Sequence, residues 1–295
     1  MTGETTLPPG PRVPDGRGDV RIDGHTGART FVVASRQERP NLPEITCPFC
    51  PGGLEAPGPY EVRWFPNRWP ALPDARCEVI LYTAQHDATF WSLGVEGARK
   101  VIDVWAERSA ALGARADVDY VLVFENRGSE VGATIVHPHG QIYAFEFVPD
   151  VPARELQRDD VFGDPGDRLV AEAPGWRAWV PEAPTFPYAL LLAPTANVPD
   201  LPSLDDGGRD GLARLLVDVL ARLDRLFAAQ TPYMLWIHQR PFDGDDWSSA
   251  RLHVEIVSPW RAAGVTRYVA AGELGSGVFF NPVAPEDAAR ALREA

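Results

Sequence analysis

The chain carries the same succession of elements twice: strand, strand, helix, strand, strand. This repetition limits its possible folds more than any single residue does. In the first run, ARTFVVAS (28–35) and CEVILYT (77–83) read as strands, a helix is predicted over 94–113, and DYVLVFEN (119–126) and QIYAFEFV (141–148) follow as strands. In the second run come RAWVP, YALLLAP, a helix predicted over 206–229, YMLWIHQ and RLHVEIVSP. Ser92-Leu93 aligns with Ser203-Leu204 at an offset of 111, Tyr120 with Tyr233 at 113 and His139 with His253 at 114. So slow a drift over three elements is hard to obtain by chance and points to an internal duplication; the alternative is that any α+β chain alternates strands with a helix. The order also lacks the strict βαβα rhythm of a parallel doubly wound sheet. The expected class is therefore α+β, a mostly antiparallel sheet with flanking helices.

Residues 1–20, rich in Pro, Gly and polar residues, read as an arm with little structure of its own. Residues 21–150 and 167–295 read as the two related halves, joined by a polar connection. With 295 residues and 45% apolar content, such a chain can bury a real core. A formal charge of −13 argues against general nucleic-acid binding, which needs a surplus of Lys and Arg to neutralise phosphates. There is no apolar run of eighteen residues and no secretory leader, so no membrane association and a cytoplasmic location are expected. Three cysteines do not make a disulfide framework, and Cys77 reads as a small buried hydrophobe.

The most informative stretch is FENRGSEVGATIVHPHGQIYAFEF, residues 124–147. His137 and His139 flank a proline that restricts the backbone between them, where a Gly-rich loop enters a strand. An isolated histidine in such a place could be a core residue with satisfied hydrogen bonds. Here Gly128, Gly132 and Gly140 allow a ligand to approach the backbone, and Asn126, Thr134 and Gln141 offer neutral donors suited to phosphate oxygens. A second constellation is CPFC, where the spacing of Cys47 and Cys50 suits one tetrahedral metal, a redox pair or two buried thiols.

HPHGQ, with FEN ending thirteen residues before its second histidine, resembles the galactose-1-phosphate uridylyltransferase family, a branch of the histidine-triad (HIT) superfamily. Further matches spread from Arg36 to Glu273. The resemblance implies a HIT-like fold whose halves form a half-barrel sheet, and an enzyme that moves UMP from a UDP-sugar to a sugar 1-phosphate by a ping-pong route. It makes His139 the nucleophile, with Gln141 on the phosphoryl oxygen and a main-chain carbonyl near His137 taking the other ring proton. It adds His86 and His137 to Cys47 and Cys50 as ligands of a structural zinc with no open position. It places Arg36, in SRQERP (35–40), at the phosphate, and Asn67, Arg68, Trp69 and Leu72, in PNRWPAL (66–72), at the uracil and ribose. Asn126, Gly132 and Thr134 are candidates for the same nucleotide site, and a homodimer is implied in which Arg36 acts across the subunits.

In the second half, relatives carry HLH and the His of an IHQ segment as a second metal site. This chain keeps His238 and His253 but has Arg251 in place of the first His. A cation at a ligand position leads to the expectation that the second metal is absent or weak, with Arg251 pairing Glu172 or Glu255. TRYVAAGELGSG (266–277) resembles the hexose-binding strand, with Arg267 where Lys is usual, Tyr268 at the aromatic position and Glu273 at the acidic one. These departures leave the sugar open. The alternatives are a HIT relative that transfers or phosphorolyses another nucleotide or sugar, and a nucleotide-binding relative that has lost catalysis.

Overall fold

The structure, a computed structural model, describes residues 19–38, 47–158 and 162–295. The arm up to residue 18 and the last two residues of SRQERP lie outside the described residues. The first described elements, β1 (Asp19–Ile22) and β2 (Arg29–Val32), form an antiparallel ribbon that does not join the main sheet. The strand expected over 28–35 is thus shorter, and a 3-10 turn over 34–38 takes its end. Most side chains of this ribbon are exposed, so burial does little to extend the pairing.

The main sheet is built from β3 (Arg63–Pro66), β4 (Cys77–Leu81), β5 (Tyr120–Arg127), β6 (His139–Phe145), β7 (Leu169–Ala173), β8 (Trp176–Trp179), β9 (Leu190–Pro194), β10 (Tyr233–His238) and β11 (His253–Val257). Among the described residues its order is β3-β4-β6-β5-β10-β11-β9-β8-β7, and every neighbouring pair is antiparallel. The series β3-β4-β6-β5 on one side of the β5–β10 seam is matched by β8-β9-β11-β10 on the other. β7 adds a further strand beyond β8. The repeated element order of the sequence therefore becomes a repeated strand order in space. The two edge strands β3 and β7 had no clear alternation to announce them.

Two helices cover one face. In α1 (Gly94–Gly113), Ala98, Val101, Ile102, Trp105, Ser109 and Leu112 recur at helical spacing and are buried. In α3 (Asp206–Phe227), Leu212, Leu215, Leu216, Val219, Leu220 and Leu223 make the matching stripe. Both helices occupy nearly the predicted ranges. Asp205 caps α3 by accepting from the Gly208 N–H at 2.7 Å, and the chain leaves α3 through Ala228 in the left-handed region at φ 49°. The two stripes pack with Ile80, Val123, Ile142, Leu192, Ile237 and Val254 of the sheet into one core. Each such leucine or isoleucine contributes roughly 2 kcal/mol by leaving water.

The short helix α2 (Asp150–Glu155) occupies the connection that reads as polar in the sequence. After the sheet come a hairpin of β12 (Trp260–Ala262) and β13 (Val265–Thr266), then α4 (Ala271–Ser276) and α5 (Pro285–Glu294), which returns to the core through Ala288, Ala289 and Leu292. No helix among the described residues is long and apolar enough to cross a membrane.

Candidate active site

The other face of the sheet collects the polar side chains. β6 starts at His139, two residues earlier than its sequence pattern suggests. Its alternation turns Gly140, Ile142 and Ala144 to the core and leaves His139, Gln141 and Tyr143 half-buried on the open face. The His139 Nδ1 lies 2.8 Å from the main-chain oxygen of His137. A carbonyl can only accept, so Nδ1 carries the proton and Nε2 presents its lone pair. Asn67 donates from Nδ2 to the Gln141 Oε1 at 3.2 Å, which leaves the Gln141 amide N–H groups as donors on this face. The Arg36 guanidinium reaches the Tyr143 hydroxyl at 3.4 Å, and the ring of Tyr143 packs edge-on against Phe124 at 4.7 Å.

Cys47, Cys50, His86 and His137 converge beside this strand, their donor atoms all within 4.8 Å of one another. The Cys50 sulfur lies 3.4 Å from the His86 Nδ1 and 3.6 Å from the His137 Nδ1, and the Cys47 sulfur lies 3.8 Å from the latter. Ligand bonds of about 2.3 Å to sulfur and about 2.0 Å to nitrogen at a tetrahedral angle would set sulfur and nitrogen about 3.5 Å apart. The four residues therefore fit one tetrahedral ion of soft to borderline character. Burial pushes the His137 imidazole below its ordinary value, toward the neutral form that ligates. Burial, then the neighbouring Cys47 sulfur, raises the Cys50 thiol, a shift that a divalent cation would reverse. A small apolar cluster of Phe49, Ala56, Phe65, Val79 and Leu81 seats the CPFC loop on β3 and β4.

The remaining nucleotide candidates are distributed less evenly. Asn126 lies on β5 with Phe124, and Gly132, at φ 82°, and Thr134 lie in the loop between β5 and β6. The Arg68 Nε donates to the Glu55 Oε1 at 2.5 Å, an ion pair almost shut off from water. Its charge is thus committed within the protein. The Trp69 N–H is held by the Asn67 Oδ1 at 2.8 Å, and Leu72 is buried with its N–H on the Cys77 sulfur.

Family models of galactose-1-phosphate uridyl transferase match the chain twice, the N-terminal domain over residues 68–149 and the C-terminal domain over 151–293. The galactose-1-phosphate uridylyltransferase of Thermotoga maritima is 34% identical over 311 residues, covering 94% of this chain and 98% of the relative. The chain belongs to the galactose-1-phosphate uridylyltransferase family. The Streptomyces lividans protein of that name is 35% identical, covering 85% of this chain and 79% of the relative. A solved uridylyltransferase superposes with a TM-score of 0.84 at 29% identity, covering 93% of this chain and 97% of that one. An ADP-glucose phosphorylase from Arabidopsis thaliana, TM-score 0.74 and 22% identity, shares the fold.

Within this member of the family the second half corrects one expectation. Arg251 pairs with neither Glu172 nor Glu255; its guanidinium donates to the carbonyls of Ser249 and Ala250. Glu172 sits on the edge strand β7, three places from β11 in the sheet, and Glu255 faces His253 on its own strand and His238 across the pair. Glu155, His238, His253 and Glu255 then form a second group of possible metal donors that does not need position 251. The His238 Nδ1 is 2.6 Å from Glu155, and the His253 Nε2 is 3.6 Å from Glu155 and 3.8 Å from Glu255. His253 keeps the orienting contact of His139, its Nδ1 lying 2.9 Å from the Arg251 carbonyl. Glu155 was missed in the sequence, where nothing local links α2 to a histidine 83 residues later.

The sugar-segment candidates lie after β13. Arg267 and Glu273 are buried and paired with each other, and Glu273 also accepts the N–H groups of Ala270 and Phe280. Tyr268 stands 81% exposed.

Proposed function

We propose that the chain transfers UMP from a UDP-sugar to a sugar 1-phosphate, with UDP-glucose and galactose 1-phosphate as the pair, through a uridylyl group carried on His139. The observation that carries this reading is the 2.8 Å contact from the His139 Nδ1 to the His137 carbonyl on the open face of the sheet. It selects the tautomer with a nucleophilic Nε2, and the same carbonyl stabilises the imidazolium that forms when that nitrogen is uridylylated. Nε2 attacks the α-phosphorus and the bond to the bridging oxygen breaks. Sugar 1-phosphate leaves with the electron pair. A phosphate oxygen of the second sugar 1-phosphate then attacks the same phosphorus and frees the imidazole. The phosphate leaving group needs little protonation, so the protein's task is alignment and stabilisation of the non-bridging oxygens, for which the Gln141 amide is the assigned donor.

Arg36, Asn67, Trp69, Asn126, Gly132 and Thr134 are the proposed nucleotide-binding residues, and Tyr268 is a proposed sugar contact. Arg267 and Glu273 would first have to exchange each other for sugar hydroxyls. Arg68 and Leu72, buried in the protein, would act by shaping the pocket. Zinc is the proposed ion of the Cys47, Cys50, His86 and His137 cluster, where it would cross-link the CPFC loop to the strand of the nucleophile. A divalent ion is also compatible with the second quartet. The duplicated halves at 21–150 and 167–295, the HIT relationship, a homodimer and a cytoplasmic location belong to the same reading.

The test is to incubate the protein with UDP-glucose and look by intact mass for one added uridylyl group that is acid-labile, with ADP-glucose as a parallel arm. Galactose 1-phosphate should discharge the group, and His139→Ala should never acquire it. A His139→Ala variant with full turnover would overturn the assignment. Loading from ADP-glucose alone would change the nucleotide.

A further inference from the structure

Tyr60 belongs to no motif that the sequence singles out, and it precedes β3 on irregular chain. Its hydroxyl lies 2.7 Å from the Phe49 carbonyl oxygen, 2.9 Å from the Thr83 carbonyl oxygen and 2.9 Å from the His137 Nε2. The same Nε2 lies 2.7 Å from the Thr83 oxygen. Because the His137 Nδ1 faces the cysteine sulfurs, Nε2 carries the ring proton and donates it to the Thr83 carbonyl and the Tyr60 oxygen. The proton of Tyr60 then goes to the Phe49 carbonyl, its shortest contact.

Two of the three partners of this hydroxyl lead to His139. Phe49 stands between the two cysteines, and its ring packs edge-on against the ring of His139 at 5.0 Å. The carbonyl of His137 holds the His139 Nδ1. One phenol oxygen thus touches the backbone of the residue that flanks the nucleophile's ring and the imidazole whose backbone orients it.

We infer that Tyr60 is a positioning residue for uridylyl transfer. Its hydroxyl shares the His137 Nε2 proton with the Thr83 carbonyl, which fixes the tautomer, and so steadies the ring that offers Nδ1 to the metal; it also pins Phe49 against His139, so that metal loop and nucleophile keep one relative geometry. This rests on the reading of His139 and the zinc cluster given above. The ring of Tyr60 also packs on the apolar cluster that seats the loop. Tyr60→Phe therefore keeps that packing and deletes only the oxygen.

The experiment uses zinc-loaded protein and three readouts: zinc release to a chelator, the single-turnover rate of UMP loading, and KM for UDP-glucose. Partners of this kind typically alter metal affinity or activity by about 10–100-fold. Tyr60→Phe should release zinc and slow loading within that range, with KM unchanged. Phe49→Leu, which keeps the carbonyl but removes the ring edge, should slow loading while retaining zinc as the parent does, and it tests the second route even if Tyr60→Phe folds poorly. Wild-type zinc release and loading in Tyr60→Phe, a loss confined to KM, or a wild-type loading rate in Phe49→Leu would overturn the inference. A parent protein that takes up neither zinc nor UMP would overturn the functional reading itself, and that result is visible before any variant is made.

Discussion

Gly140→Ala is the sharpest test of how the fold holds His139, the proposed nucleophile. An added Cβ would stand 2.1 Å from the Tyr82 hydroxyl oxygen, 2.9 Å from its Cζ and 3.2 Å from the Phe124 carbonyl oxygen, where ordinary contact begins at 3.4 Å. Tyr82 has no room to yield: it is 2% exposed, and its ring packs edge-on against Phe90 at 5.4 Å and Trp105 at 5.9 Å. The backbone is no freer, because β6 is paired on one side to β4, opposite Ile80, and on the other to β5. Overpacking of a rigid site costs about 1–3 kcal/mol, and three simultaneous clashes place this variant near the upper end, at about 3 kcal/mol in urea unfolding. The strain falls on the residue after His139, and a misplacement of about 1 Å in a reacting group can cost about 100-fold in rate. Single-turnover UMP loading should fall on that scale. The Tyr82 hydroxyl makes no well-formed hydrogen bond, its polar neighbours Glu125 and Trp105 being only loosely placed, so Tyr82→Phe alone should cost little. Combined with Gly140→Ala it should recover part of both losses, the Cζ contact remaining. A Gly140→Ala protein within about 0.5 kcal/mol of its parent and loading UMP at the parental rate would refute this reasoning.

Other expectations follow from the same contacts. Glu125 is fully buried at the seam between β5 and β10, where it accepts from the Tyr233 hydroxyl at 2.6 Å, and burial lifts its carboxyl from 4.5 to about 7. The folded state therefore holds this proton more tightly than the unfolded chain, and the contribution is full below pH 4.5 and lost as pH rises through about 7. Relative to its parent, Glu125→Gln should gain about 3 kcal/mol between pH 4 and pH 8 in chemical unfolding, and a gap that does not change with pH would count against a buried neutral acid. Arg68→Ala leaves Glu55 charged in a buried place and should cost about 3–5 kcal/mol, while Arg68→Met with Glu55→Gln should restore most of it, as thermal melts would record. Arg251→Ala should leave divalent-ion uptake at the second quartet unchanged, whereas Glu155→Ala should reduce it, as titration calorimetry would show; a loss in Arg251→Ala would return that residue to the site.

Much of this protein is local physics, and that part is legible in the chain. Helical spacing of Val101, Ile102, Trp105 and Leu112 places α1, and alternation of Ile142 and Ala144 with Gln141 and Tyr143 tells which side of β6 faces the core. The HPH turn sets the two histidines two residues apart, on a strand that begins at the second. All of these are settled by rotations and periods within a few residues.

Contacts across the fold are another matter, since alternation names a face and never a neighbour. Nothing in PNRWPAL tells that Arg68 finds Glu55, and nothing near Arg251 tells that β7 carries Glu172 to the far edge of the sheet. Glu155 reaches His238, and the Tyr60 hydroxyl joins the Phe49 carbonyl to the His137 ring, only once strand order and register are set. The residues proposed to do chemistry are written in the motif; the ones that hold them still are chosen by packing, because only the closed fold puts distant side chains within the reach of a hydrogen bond.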